Sequence, residues 1–395
     1  MKKQNKHISW TPYTDNLKEM IMAVDTEIER SIEDLGLFKY SHLYGLKKLK
    51  GVCLKQTLFS ILIWPLLSVP SLSFFCGNRL SAYIKGTANV MYDFMKRQDI
   101  NWRGYRFNAA KRFYRTHRLD KETIRAAVFD DSIKHRRGKK VAATSSHFDH
   151  TLGKHVMGQQ VLEMGLATAK GYLPLDSQVY VGDTKTQMGK RPLDDGRSAV
   201  GRSFSTANYS DKNQMLRDML KRAKKMGIDF THVIADSWFG NRDNIKAAIS
   251  SKRTGIFRMK RGNLNYQYKN RNYTVTQLYA KVERRMKRLK NTSYQTAALT
   301  VQLNLSDNKN KPDWLPIKLV FSRSIRQNKE NWVVFLSTDT SLTASKILEI
   351  YALRWGIEVY FKEVKQHFGF LREQTGDYAV HYASIHLCAI RFILV

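Results

Sequence analysis

Cysteine is nearly absent from this chain: Cys53, Cys76 and Cys388 are the three among 395 residues, far apart and without a Cys-x-x-Cys pair. That excludes a disulfide framework and a zinc ribbon and fits a reducing cytoplasm. Acidic residues are scarce too, 34 against 67 Lys and Arg, for a formal net charge of +33. A folded chain with such a surplus repels itself unless a polyanion neutralises it. DNA or RNA is therefore the favoured partner, ahead of an acidic membrane surface. Long apolar runs are missing with one exception, TLFSILIWPLLSVPSLSFFC at 57–76, which is uncharged and long enough to span a bilayer. Pro65 and Pro70 interrupt it and serines dilute it, so a buried, broken helix is expected and no membrane partner. The opening MKKQNKHISW is basic but has no apolar segment after it, so no signal peptide is visible. A hydrophobic fraction of 43% supplies a core and excludes a disordered basic tail.

The chain carries no internal repeat, but its character changes along its length. Residues 1–120 read as mostly helical, with apolar spacing near 3.6 in IEDLGLFKY, LKQTLFSILIW and ANVMYDFMKR. This part ends in NWRGYRFNAAKRFYRTHR, where Arg103, Arg106, Lys111, Arg112, Arg115 and Arg118 alternate with Trp102, Tyr105, Phe107, Phe113 and Tyr114. Such interleaving suits a nucleic-acid strand gripped by its phosphates and stacked upon. A basic amphipathic helix that turns its rings inward reads the same way.

From about 121 to 260 strands and helices alternate: TIRAAVFDDS, VLEMGLATA and PLDSQVYVG as strands, DKNQMLRDMLKRAKKMG as a helix, FTHVIADSWFG as a strand, NRDNIKAAISS as a helix and TGIFRMK as a strand. That order indicates an α/β sheet. Residues 261–331 look like hairpin material, interrupted by the basic run KVERRMKRLK, either a solvated face or a phosphate contact. NWVVFLSTD then returns as a strand and leads to a helix within 332–372.

Two apolar strands are expected to end in acids, at Asp130 (with Asp131 beside it) and at Asp236. Carboxylates at the ends of neighbouring strands can share a divalent ion, and oxygen ligands suit Mg²⁺ or Mn²⁺. The third acid is expected from YALRWGIEVYFKEVKQ, read as one helix over 351–366. At about 100° per residue, Tyr351, Arg354, Glu358 and Lys365 fall in one stripe. On spacing alone Arg354 and Glu358 make an ordinary i,i+4 ion pair.

The spacing Tyr351-x2-Arg354-x3-Glu358-x6-Lys365 resembles the C-terminal motif of bacterial DDE transposases of the insertion-sequence-4 family. VFDDS resembles that family's first-aspartate block and VIADSWFG its second, and the likeness runs from about 125 to 372. The resemblance implies an α/β, ribonuclease-H-like catalytic core at 121–260 and 332–372. It also implies a β-rich insertion at 261–331, an N-terminal helical DNA-binding domain at 1–120, and Asp130, Asp236 and Glu358 as catalytic metal ligands. Tyr351, Arg354 and Lys365 would hold the DNA backbone. The implied activity is Mg²⁺-dependent nicking of transposon inverted-repeat ends and their joining to target DNA, with Mn²⁺ able to substitute. A homodimer on the DNA, in a bacterial nucleoid, is the expected setting. A nuclease of the same fold without strand transfer, or an inactive transposase-derived DNA-binding protein, are the alternatives.

Three points stay open in the sequence. Asp130 is favoured over Asp131 because it continues the alternation of Ala126 and Val128 and stands two before Ser132. Trp332 is either a core aromatic or, by resemblance, the ring that receives a flipped base. HFDHTLGKH gathers His147, Asp149, His150 and His155 without the second ligand set that zinc needs. The segment 373–395 reads as an apolar helix, truncated or completed by a partner subunit.

Overall fold

The computed structural model describes residues 26–395 except 49, 68, 79–82, 85, 88, 138–139, 183–192, 291 and 309. The basic stretch MKKQNKHISW lies outside the described residues. Alternating and continuous apolar runs build one sheet. Its strands are β1 (Ala126–His135), β2 (Ser145–Asp149), β3 (Lys154–Thr168), β4 (Gly171–Tyr180), β5 (His232–Ala235) and β6 (Thr254–Met259). They continue as β7 (Asn265–Tyr268), β8 (Arg271–Thr274), β9 (Lys287–Arg288), β10 (Tyr294–Asn304), β11 (Trp314–Ser324) and β12 (Trp332–Ser337). The order is β2-β3-β1-β5-β6-β12-β11-β10-β7-β8, with β4 on β3 and β9 on β10. β1, β5 and β6 run parallel, and β3 and β12 flank them antiparallel. The class is mixed α/β.

The helices are α1 (Leu54–Ile63), α2 (Leu72–Asn78), α3 (Asn89–Met95), α4 (Trp102–Thr116), α5 (Ala199–Tyr209), α6 (Lys212–Lys225) and α7 (Arg242–Ser250). Then come α8 (Val275–Val282), α9 (Ala344–Ala352), α10 (Trp355–Gln366) and α11 (Tyr378–Leu394). Side-chain caps start most of the longer ones: Asn101 for α4, Ser198 for α5, Asp211 for α6, Asn241 for α7 and Thr343 for α9. The uncharged run at 57–76 folds as expected into a broken, largely buried element, with a bend of 109° between Leu54–Leu67 and Leu72–Asn78. Among the described residues no single helix is long and apolar enough to cross a membrane.

Two details depart from the sequence reading. β1 does not stop at its acids: it continues to His135, because the 15-residue β3 extends the ladder past them and pairs Asp130 with Glu163. The segment 351–366 is two helices. Bonds of the i→i−3 type at Leu353, Arg354, Gly356 and Ile357 tighten the chain into a turn, and Arg354 sits at the break. Gly356 then lets α10 close on the sheet, since a Cβ there would lie 3.0 Å from Tyr172.

At α4 the structure takes the second of the two readings, the amphipathic helix that turns its rings inward. Trp102, Tyr105, Phe107 and Tyr114 are buried in the core. Arg106, fully buried, donates to Glu163 and Ser177. Arg103 bonds Asp176 at 2.9 Å and Gln178 at 2.6 Å, and Arg112 donates to the Asp34 carbonyl. Those three arginines fasten the helix to the protein itself. Burial pushes Glu163 up to about 7 against the pull of Arg106. Burial works the same way on Asp176, but Arg222 and Arg103 hold it below the usual carboxylate range. One buried apolar cluster extends from Ile32 to Leu394.

Candidate active site

The parallel pairing of β1 with β5 sets Phe129 against Ala235, so Asp130 and Asp236 are the next residues on strands about 4.8 Å apart. Asp236 leaves β5 in a turn that its own carboxylate stabilises, Oδ1 accepting the Trp238 amide at 3.0 Å. Glu358 arrives from the first turn of α10. Arg354 joins the two distant segments: Nη1 donates to Asp130 Oδ2 at 2.9 Å and Nη2 donates to Glu358. Its Nε has no hydrogen-bond partner among the described residues.

The electrostatics follow from this packing. Asp130 is 22% exposed on its side chain. Burial pushes it up to about 7; Asp236 and Asp131 add to the rise and Arg354 opposes it. Tyr351 stands 4.6 Å from the Phe335 ring, and burial raises its phenol to about 12. Lys365, in the last turn of α10, is lowered by burial, with Asp149 and Asp130 acting the other way.

The adjacent aspartates face different neighbours. Asp131 accepts from Lys212 Nζ at 2.6 Å and from Gln160 Nε2 at 2.8 Å. Lys212 also lies over the Trp238 ring at 4.3 Å. Asp130, Asp236 and Lys365 line one groove of about 1060 Å³, together with Asp131, Trp238 and the β2–β3 hairpin. Glu358, Arg354, Tyr351 and Trp332 are not among its lining residues. That indole is buried, stacked on Tyr279 at 4.2 Å with the Arg261 guanidinium 4.2 Å from its ring centre. Sequence reasoning missed Trp238, the 45% exposed aromatic in the groove. Its signal was its place two residues after Asp236.

No three His, Cys, Asp or Glu among the described residues stand close enough to hold a metal ion. His147, Asp149, His150 and His155 therefore form no metal cluster, and they lie on or beside the β2–β3 hairpin. The chemistry of the Asp130, Asp236 and Glu358 set nevertheless fits a hard divalent cation: three carboxylates, with a cationic guanidinium already bridging two of them.

The family model described as Transposase DDE domain matches residues 195–392, half of the chain. The matched region holds Asp236 and the whole of α9 and α10, and it begins after Asp130. No curated protein matches the chain.

Proposed function

The chain belongs to the transposase DDE domain family, and from that premise we propose that it nicks the ends of an insertion sequence and joins them to target DNA. The observation that carries this reading is Arg354 bridging Asp130 and Glu358, with Asp236 next to Asp130 on the neighbouring strand, which draws acids from three separated segments together. The strand order β4-β3-β1-β5-β6, three antiparallel strands followed by two parallel ones, supports a ribonuclease-H-like core. β7 to β12 are the β-rich insertion and the strand after it, continuing that sheet through β12 on β6. The helices among the described residues 26–120 would belong to the N-terminal DNA-binding part, and membership of the insertion-sequence-4 group follows the helix motif.

Asp130, Asp236 and Glu358 would hold Mg²⁺ or Mn²⁺. Such ions, when bound, activate the attacking oxygen and stabilise the leaving one in an in-line displacement. The protein's own groups do the rest. Arg354 exchanges its two carboxylates for a DNA phosphate, which it can engage with the same planar pair of donors. Lys365, less exposed than an ordinary surface lysine, adds a point charge to the backbone from the far end of α10. Tyr351 packs against β12 and holds the turn that carries Arg354. Trp332 is left out of this assignment, since its ring already has Tyr279 and Arg261 against it. The partners are duplex transposon ends and target DNA, bound by a homodimer.

The test is incubation with duplex carrying the inverted repeats that bracket the gene. Nicking is expected with Mg²⁺ and not with EDTA, and Glu358→Gln should bind the duplex without cutting it. Equal cutting by Glu358→Gln would remove Glu358 from the site.

A further inference from the structure

We infer that the tip of the β2–β3 hairpin, through Phe148 and Leu152, is a wedge that enters the end of the bound duplex and separates its terminal base pairs. This rests on the reading of the groove as a DNA site. Single exposed apolar residues are ordinary; these two differ in where they stand and how they are held. Phe148 is 43% exposed and Leu152 51% exposed, and both line the groove that contains Asp130 and Asp236. β2 is the outermost strand of the sheet at this end, so the tip has no neighbouring strand to cover it.

The tip is also rigid. Asp149 Oδ1 accepts the amides of Thr151 at 2.9 Å and Leu152 at 3.1 Å, and Gly153 completes the turn with φ +62°. The other oxygen, Oδ2, bonds His135 Nε2 at 2.7 Å and so ties the turn back to β1, the strand of Asp130. Phe148 stands edge-on between the rings of His150 at 5.0 Å and His155 at 5.4 Å. Lys154 follows the turn, paired across the hairpin with Asp149, and Lys365 lines the same groove. An apolar point on a fastened turn, in the same groove as Asp130 and Lys365, matches the way apolar side chains enter base steps. A flat protein contact would not need the turn locked twice.

The experiment compares affinity for a short blunt duplex with that for the same duplex whose last few base pairs are mismatched. Wild type should prefer the mismatched end, because the cost of unpairing is already met. The double variant Phe148→Ala/Leu152→Ala should lose roughly 5- to 150-fold on the mismatched duplex, the range of an aromatic–base stack. Its loss on the blunt duplex should be smaller, because unpairing offsets part of the stacking there, its salt slope should stay unchanged, and Phe148→Trp should keep the preference. Preference absent in wild type, or retained by the double variant, overturns the wedge. So does a double variant that changes only self-association, which would make the tip a contact between copies. Failure of wild type to bind either duplex would instead remove the DNA reading beneath it.

Discussion

Replacing either of two adjacent aspartates by asparagine should shift stability in opposite directions. Asp130 titrates at about 7 instead of its ordinary 3.8, chiefly through burial. Between those values the folded state binds more protons than the unfolded one, so stability falls as pH rises from 4 to 7 and stays reduced above it. At about 1.36 kcal/mol per pH unit the full penalty is roughly 4 kcal/mol, and partial exposure screens it to about 2–3 kcal/mol. Asp130→Asn removes that penalty while leaving Arg354 its bond to Glu358. Asp131→Asn does the reverse: Lys212, 9% exposed on its side chain, loses its carboxylate, at a cost of about 1–3 kcal/mol. Urea denaturation in EDTA at several pH values reads both. Asp130→Asn should be more stable than wild type by an amount that grows with pH and levels above 7, and Asp131→Asn should be less stable near neutrality. Two variants of the same sign, or a gain for Asp130→Asn that shrinks with rising pH, would refute the electrostatic picture of the site.

Arg106→Ala should lower stability by about 3–5 kcal/mol, because Glu163 would be left buried without its partner. Arg115→Ala, exposed on the same helix, should change it by no more than about 0.5 kcal/mol, which denaturant midpoints will separate. Binding to non-specific duplex should weaken with salt by about 0.9 log units per log salt for each phosphate contact, and a flat titration would contradict the role given to the charge of +33. Lys365→Ala should reduce that slope by about one contact, as filter binding across a salt series would show.

The central strands, the paired helices of 211–250 and the hairpin character of 261–331 were legible because their apolar periods are clean. The capping signature Thr274-x-x-Gln277 was also present in the sequence, and it starts α8, which the strand reading passed over. Other features could not be read locally. The continuation of β1 beyond Asp131 depends on the length of its partner β3, and the break at Arg354 appears only once α10 must settle against Tyr172. The arginines of α4 show why charge pattern alone misleads. Arg103 and Arg106 share a motif that suits DNA, yet Asp176 and Glu163, some 60–70 residues further on, hold them inside the protein. The acid order and the spacing of Arg354, Glu358 and Lys365 were available from the sequence, whereas the bridging of Asp130 and Glu358 by one guanidinium is a product of the fold.

The central claim is that Asp130, Asp236 and Glu358 form the site of DNA strand transfer. Its most direct test offers a precut terminal-repeat duplex with a free 3′-hydroxyl and a supercoiled plasmid to wild type and to Asp130→Asn, Asp236→Asn and Glu358→Gln, with Mg²⁺. Wild type should join the end to the plasmid, and all three variants should bind the end without joining it. Joining by any one of the variants at the wild-type rate would contradict the account.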